Sequence, residues 1–336
     1  MTGMKNDLTH RVIDKGVDLM KLVFMGTPEI AASVLESIIE SGKHEVLAVV
    51  TRADKPKGRG HEMDAPPVKK LALEHGITVL QPEKVGAPEF IDSVRAMAPE
   101  VIVVAAYGKI LKPALLEIPK YGCINVHASL LPKYRGAAPI QWAVINGEEK
   151  SGVTIMHMAE GLDTGDMIIS EEIPLEPKET AGSLHDKMAA AGGPLLLKAL
   201  EMLEAGNAPR TPQKEEEATY VSTIDKSLGK MDFNKTAAEL ERLVRGLDPW
   251  PTAFTSINGK LLKIREADVL PVNVVGKEFH KAEKGTVVGV ADDAILVLCK
   301  DSVLKINSLQ LEGKKRMNTA DFLRGYKVET GTVLGR

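Results

Sequence analysis

The 336-residue sequence predicts an open, mostly parallel α/β sheet followed by a small β domain. Three patterns carry that expectation. From Met20 to about residue 205, short apolar β-rich runs alternate with amphipathic helical segments. A polar, proline-containing stretch interrupts the alternation, with Gly206-Asn207-Ala208-Pro209, Thr211-Pro212 and Glu215-Glu216-Glu217. Beyond it come short β-rich runs punctuated by glycines. Strands alternating with helices imply parallel pairing and helices on both faces of one sheet. The length leaves room for two domains, each with its own core.

Taken in order, Lys21-Leu22-Val23-Phe24-Met25 reads as the first strand, ending at Gly26-Thr27-Pro28. Thr27 is placed to cap the next helix, Pro28 to occupy its first position, and Glu29 to meet the positive end of its dipole. Ile30, Val34, Leu35 and Ile38 follow at helical spacing. A strand at 46–50 leads into a loop rich in Gly, Pro and charge, 52–65, and a helix opens at Pro66-Pro67 with Val68, Leu71 and Leu73. Val79-Leu80, a helix over 88–97, a strand over 101–106 and another over 123–126 continue the alternation, which ends with a helical stretch over 183–205. After the break, Leu240, Leu243, Val244 and Leu247 mark one amphipathic helix ending near Asp248-Pro249. The runs 261–264, 287–290, 295–298 and 303–311, separated by Gly259, Gly276, Gly285 and Asp292-Asp293, suit a five-stranded OB-like barrel. The expected division is an N-terminal extension over 1–19, a first domain over 20–208, a linker over 209–222 and a second domain over 223–336.

Composition narrows the function classes. With 43 basic against 46 acidic residues the net charge is −3, which excludes a strongly basic nucleic-acid coat protein but not a localised basic surface. Hydrophobic residues at 44% exclude wholesale disorder. Aromatics at 4% argue against a binder that stacks single-stranded bases on exposed rings. Cys123 and Cys299 are too few for a disulfide framework and too far apart for a zinc spacing, so no metal is expected and both read as reduced, buried thiols. No apolar run approaches the roughly 20 residues of a membrane helix. Lys5, Asp7, Arg11, Asp14, Lys15 and Asp18 leave residues 1–19 without the apolar core of a signal peptide. The expectation is a cytoplasmic monomer with no membrane partner.

Two short segments carry chemistry. In Gly122-Cys123-Ile124-Asn125-Val126-His127-Ala128-Ser129-Leu130-Leu131-Pro132, Asn125 and His127 lie two residues apart on a strand and share a face, at the strand end where open α/β sheets place their sites. An amide donor beside an imidazole suits acyl transfer, because Asn stabilises an oxyanion and His moves protons near neutral pH. Alone, the pair reads more readily as a structural strand end than as a site. No G-x-S-x-G elbow surrounds any serine, so transfer directly to an acceptor amine is expected rather than a covalent enzyme intermediate. In Gly161-Leu162-Asp163-Thr164-Gly165-Asp166, two glycines allow a tight loop that brings a carboxylate against a ligand, or simply a turn closed by Asx hydrogen bonds. The first strand–helix turn, Gly26-Thr27-Pro28, lacks the second and third glycines of G-x-G-x-x-G and gives no support for NAD or FAD.

These segments resemble a known family. Met25-Gly26-Thr27-Pro28, Ala105-Ala106-Tyr107-Gly108-Lys109-Ile110-Leu111, Gly122 through Ile140, Gly161 through Met167 and Asp248-Pro249-Trp250-Pro251 are similar to the methionyl-tRNA formyltransferases. The Asn125-x-His127…Ser129-Leu130-Leu131-Pro132 signature is shared with the wider 10-formyltetrahydrofolate-dependent transferases, and Tyr134-Arg135-Gly136-Ala137-Ala138-Pro139-Ile140 narrows the match. The resemblance spans about residues 20 to 330. It implies a Rossmann-like formyltransferase sheet and a tRNA-binding OB-like domain. It also implies transfer of a formyl group from 10-formyltetrahydrofolate to the free α-amine of methionyl-initiator tRNA, without a metal.

By that resemblance Asn125, His127 and Asp163 are catalytic. Tyr107, Gly108, Lys109, Ile110 and Leu111, with Ser129, Leu130, Leu131 and Pro132, wall the folate pocket. The tRNA backbone falls to Arg52, Lys55, Lys57 and Arg59, on a loop that is otherwise an ordinary solvated charge run, and to the cluster Lys314, Lys315 and Arg316. Where the family often continues with two lysines after Gly60, this chain has His61-Glu62. From Pro209 onward 21 Lys and Arg face 18 Asp and Glu, so the second domain is the more basic half and the expected backbone clamp. Formylation of an amino sugar or another small amine, and a non-catalytic tRNA-binding module, are the competing readings. Family chains usually begin at a position like Met20, so residues 1–19 read as an upstream start or an added remnant.

Overall fold

The computed structural model describes residues 19–57, 62–291 and 293–336. Residues 1–18 of the expected 1–19 extension, and Arg59, therefore lie outside the described residues. The first domain runs β1 (Met20–Gly26), α1 (Glu29–Ser41), β2 (His44–Val50), a small hairpin of β3 (Lys55–Lys57) and β4 (Glu62–Asp64), α2 (Pro67–Glu74) and β5 (Val79–Leu80). It continues with α3 (Pro88–Met97), β6 (Val101–Ala105), α4 (Pro113–Leu116), β7 (Cys123–His127), β8 (Arg135–Gly136), α5 (Pro139–Asn146), β9 (Lys150–His157), β10 (Met167–Pro174) and α6 (Ala181–Glu204). A seven-stranded sheet has the order β10-β9-β7-β6-β1-β2-β5.

Strands β1, β2, β5, β6 and β7 pair in parallel, as the alternation predicts. β9 runs antiparallel to both β7 and β10, so that edge departs from simple βαβ winding. Alternate residues of the central strands fill two layers. Leu22, Phe24, Val101, Val103 and Ile124 pack with α1, α5 and α6 on one face. Val23, Met25, Ile102, Val104 and Cys123 pack with Phe90 and Val94 of α3 and Leu115 of α4 on the other.

One predicted cap is displaced. The first helix begins at Glu29, Pro28 is its cap, and Thr27 makes no side-chain cap bond. The Pro28 carbonyl accepts from Ala31 and Ala32, whereas the Thr27 carbonyl faces α2 and accepts from Val68. A tertiary contact to α2 has replaced the local cap, and the Thr27 hydroxyl is buried without a partner.

The segment after α6 crosses back over the first domain through β11 (Tyr220–Val221), which pairs in parallel with β8. Then come α7 (Ala237–Gly246), β12 (Ala253–Ile257), β13 (Lys260–Leu270), β14 (Val287–Ala291), β15 (Ala294–Leu298), β16 (Val303–Leu311), β17 (Met317–Asn318) and α8 (Thr319–Gly325). An antiparallel sheet of order β12-β13-β16-β15-β14, with β17 added to β16, holds a second core against α7. The expected β runs are present, and β12 is an additional strand. Among the described residues the ladder runs open from β12 to β14, with no pairing between those two edges. The two domains meet where Arg242 of α7 donates to the Ile145 carbonyl of α5, and where Lys178 bridges Glu241 and Asp268.

Candidate active site

Asn125 and His127 occupy alternate positions of β7 and so share a face, with His127 as the last residue of the strand. Both are buried, at 9% and 5% exposure. Their face is the one that carries Cys123 and the α3–α4 layer, but toward β9 and β10 loops replace the helices as its cover. The first cover is the segment 128–136. Ser129 donates its hydroxyl to the Lys133 carbonyl at 2.7 Å, and Thr154 donates to the Ser129 carbonyl at 2.7 Å while accepting from the Leu131 amide. The Leu131–Pro132 peptide is cis.

The second cover is the loop joining β9 to β10. Antiparallel pairing sets His157 opposite Ile124 and Thr154 opposite His127, so β9 carries the chain away from the His127 end. The loop must therefore fold back along the sheet face for the Asp163 carboxylate to reach His127, and it does: Oδ2 lies 3.7 Å from Nδ1. The Gly136 amide donates to the same oxygen at 2.9 Å. Gly165 permits the reversal, since a Cβ there would stand 1.8 Å from the His157 carbonyl oxygen.

The imidazole is held at both nitrogens. Nε2 lies 3.0 Å from the Tyr134 carbonyl oxygen, which can only accept, so Nε2 carries a proton and donates it. Nδ1 faces the Asp163 carboxylate. Burial, with help from the hydrogen bond to Glu148, pushes the Tyr134 phenol up to about 12. Burial likewise pushes the Cys123 thiol, at the foot of β7, up to about 12.

The stretch 107–111 closes the next side. The Tyr107 ring is buried and its hydroxyl unpartnered, whereas Ile110 is 78% exposed beside it. Arg52 donates Nε to the Tyr107 carbonyl at 3.1 Å and a terminal nitrogen to the Gly108 carbonyl, and Lys109 donates Nζ to the carbonyls of Pro82 and Glu83. Arg52 is thus turned onto the expected folate wall rather than outward. Its own carbonyl accepts from Gln81, which with Lys69 and Asp54 fixes the root of the basic loop. Leu111 and Leu131 are buried, Leu130 and Pro132 half-buried, and Lys55 is exposed. Lys314, Lys315 and Arg316 are all exposed on the turn after β16, in the other domain.

The structure therefore brings Asn125, His127 and Asp163 onto one buried face, with 107–111 and 129–132 as neighbouring walls, and leaves Lys55 and the Lys314–Arg316 turn exposed. Sequence reasoning missed three residues that organise this face: Tyr134, through its backbone carbonyl, and Arg135 and Gln213, through their side chains. Tyr134 and Arg135 lie within the Gly122–Ile140 segment, but only their tertiary partners reveal a role, and Gln213 carries no local signal at all. Among the described residues no group of three or more His, Cys, Asp or Glu is placed to hold a metal ion. No helix there is long and apolar enough to cross a membrane.

Residues 20–200 match the formyl transferase family profile, and residues 223–327 match that of the formyl transferase C-terminal domain. The chain is 53% identical over 316 residues to the methionyl-tRNA formyltransferase of Lachnospira eligens, covering 94% of this chain and 100% of that one. It is 51% identical to the methionyl-tRNA formyltransferase of Clostridioides difficile over the same shares. Among solved structures, WlaRD, a sugar 3N-formyl transferase crystallised with dTDP and 5-N-formyl-THF, superposes with a TM-score of 0.61 at 20% identity, covering 88% of this chain and 99% of its own. HypX from Aquifex aeolicus in complex with tetrahydrofolic acid superposes at 0.59 and 18% identity, covering 94% of this chain. The chain spans about half of its length, 50%. At these identities the two structures show a shared fold.

Proposed function

The chain belongs to the methionyl-tRNA formyltransferase family, and on that premise we propose how its residues work. The enzyme formylates the α-amine of methionyl-initiator tRNA, the reaction that prepares the initiator for translation, with a folate-derived formyl donor. We assign the donor as 10-formyltetrahydrofolate. The observation that carries the residue assignment is the clamped His127, held between the Tyr134 carbonyl and the Asp163 carboxylate on the face that also presents Asn125.

In this reading the free amine attacks the formyl carbon directly, and negative charge grows on the formyl oxygen. The Asn125 amide nitrogen is a donor for that oxygen. Each well-placed donor of this kind is worth roughly 3–4 kcal/mol of barrier when water is excluded. The Asp163 carboxylate, 3.7 Å from Nδ1, orients the His127 ring. The attacking nitrogen must lose one proton, and the departing N10 must gain one. His127 and Asp163 are the groups on this face able to hold a proton between those two events. The bond formed is amine N to formyl carbon and the bond broken is formyl carbon to N10, so no oxidant, reductant or metal is required.

The wall 107–111, pinned by Arg52 and Lys109, supports a pocket that reads the pterin through backbone groups. We therefore assign Arg52 to that wall and leave Lys55, Lys57, Arg59 and the Lys314–Arg316 turn to the tRNA backbone, on an OB-like second domain. One chain supplies every group named, so a monomer suffices, and charged tRNA places the reaction in the cytoplasm. Incubation of the protein with 10-formyltetrahydrofolate and methionyl-initiator tRNA is expected to yield N-formylmethionyl-tRNA. Absence of that product, or equal formylation of an uncharged amino sugar, overturns the assignment.

A further inference from the structure

The segment between the two domains is wired into the catalytic loop through one buried arginine. Arg135, in β8, has a side chain only 1% exposed. It donates Nε to Gln213 Oε1 at 3.0 Å, and Nη1 to the Glu215 carboxylate at 2.9 and 3.1 Å and to the Tyr220 hydroxyl at 2.6 Å. A guanidinium can only donate, so the Gln213 amide must turn its oxygen toward Arg135. That leaves the NH2 group to donate to the Asp163 carbonyl at 2.8 Å and the Gly165 carbonyl at 2.7 Å.

Asp163 needs such support. Its φ is +53°, in the left-handed region that a non-glycine residue seldom occupies without tertiary contacts to hold it there. The same three-residue run grips it from the opposite side: the Gly136 amide holds its carboxylate, and the Tyr134 carbonyl holds His127. The connecting segment is itself fastened on both flanks. Thr211 exchanges backbone hydrogen bonds with Met167, at the end of the loop, and Tyr220–Val221 pair with Arg135–Gly136. Gly136 makes that pairing possible, since a Cβ there would stand 2.3 Å from the Val221 carbonyl oxygen.

We propose that Gln213, oriented by Arg135, is a positioning residue for Asp163, so that the interdomain segment completes the catalytic face rather than merely joining two domains. The inference rests on the function assigned above. Because the Gln213 amide is spent on Arg135 and the two loop carbonyls, its loss acts on the reacting geometry, and a misplacement of about 1 Å is enough for a large rate effect.

The test uses the full chain with Gln213→Ala, Gln213→Glu, Asp163→Asn and the double variant Asp163→Asn/Gln213→Ala. Gln213→Glu keeps an acceptor for Arg135 but removes the donor to the loop carbonyls. Both single Gln213 variants are expected to lower kcat about tenfold, with KM for methionyl-tRNA and for the formyl donor within about twofold of the parent. In the double variant Gln213→Ala is expected to cost nothing beyond Asp163→Asn, as two residues acting through one element should behave. Losses that multiply, or a rise in KM with kcat intact, overturn the proposal. A readout independent of turnover separates this from a failure of the function itself. The 15N resonances of the His127 imidazole, assigned by their loss in His127→Ala, are expected to shift in Gln213→Ala without substrate, and an unchanged spectrum rejects the proposal even if the parent enzyme makes no product.

Discussion

The face of Asn125, His127 and Asp163, proposed for the chemistry, and the Lys314–Arg316 turn, proposed for the tRNA backbone, are both polar, yet they are built in opposite ways. On the first, Asn125, His127, Asp163 and Arg135 are buried or nearly so, and His127, Asp163 and Arg135 each have partners at fixed distances. On the second, three cations stand exposed, and Arg316 makes a single side-chain hydrogen bond, to Ser308 at 3.3 Å. Stabilising a charge that exists only during the reaction demands donors aimed in advance within a dry site. Attracting a phosphate backbone demands only charge at roughly the right place, because counterion release is insensitive to exact geometry.

The largest effect that distinguishes the two regions is expected on the buried face. Asn125→Ala is expected to reduce the single-turnover rate about 100- to 1000-fold, with little change in tRNA affinity. A loss expressed mainly in KM would place Asn125 among the binding groups instead. Next in size, replacing Lys314, Lys315 and Arg316 together by Ala is expected to leave the saturated rate within about twofold. It should raise KM for tRNA and flatten the dependence of log K on log salt by roughly one unit for each phosphate no longer neutralised. An unchanged salt slope measured by titration at several ionic strengths would show that this turn faces away from the RNA.

The smallest expected effect is none at all. The Cys123 and Cys299 thiols are pushed up to about 12 by burial. A raised thiol pKa keeps the sulfur protonated, so at pH 8 only about one part in ten thousand is thiolate. Iodoacetamide at that pH is expected to modify neither residue in the folded enzyme and to leave activity intact. Rapid stoichiometric alkylation, read by intact mass, would mean that the foot of β7 opens to solvent.

How much of this was legible in the residues differs between these regions. The alternation of strands and helices announced the parallel sheet because buried strands demand continuous apolar runs, and those runs are local. Asn125 and His127 were legible because a two-residue spacing on a strand fixes a shared face whatever surrounds it. Asp163 was legible as a loop carboxylate, and its assignment to His127 came from family likeness, since 36 residues of chain separate them. Arg52 is the instructive case: inside a run of cations it looks like a phosphate ligand, yet the nearness of the Tyr107 and Gly108 carbonyls turns it inward. Gln213 lies in a polar stretch whose composition announces only a connection between domains.

The sequence by itself determined the sheet, its helical layers, the β-rich second domain and the imidazole–amide pair, because periodicity and short spacings are properties of neighbouring residues. Only the tertiary structure decided that β9 reverses the edge of the sheet, that the Asp163 loop doubles back across its face, and that Arg135 and Gln213 hold it there. Those decisions depend on buried donors and acceptors meeting across long stretches of chain. A hydrogen bond between residues 135 and 213 leaves no periodic trace in the sequence, because its cause is the requirement that a buried guanidinium find acceptors wherever the fold has placed them.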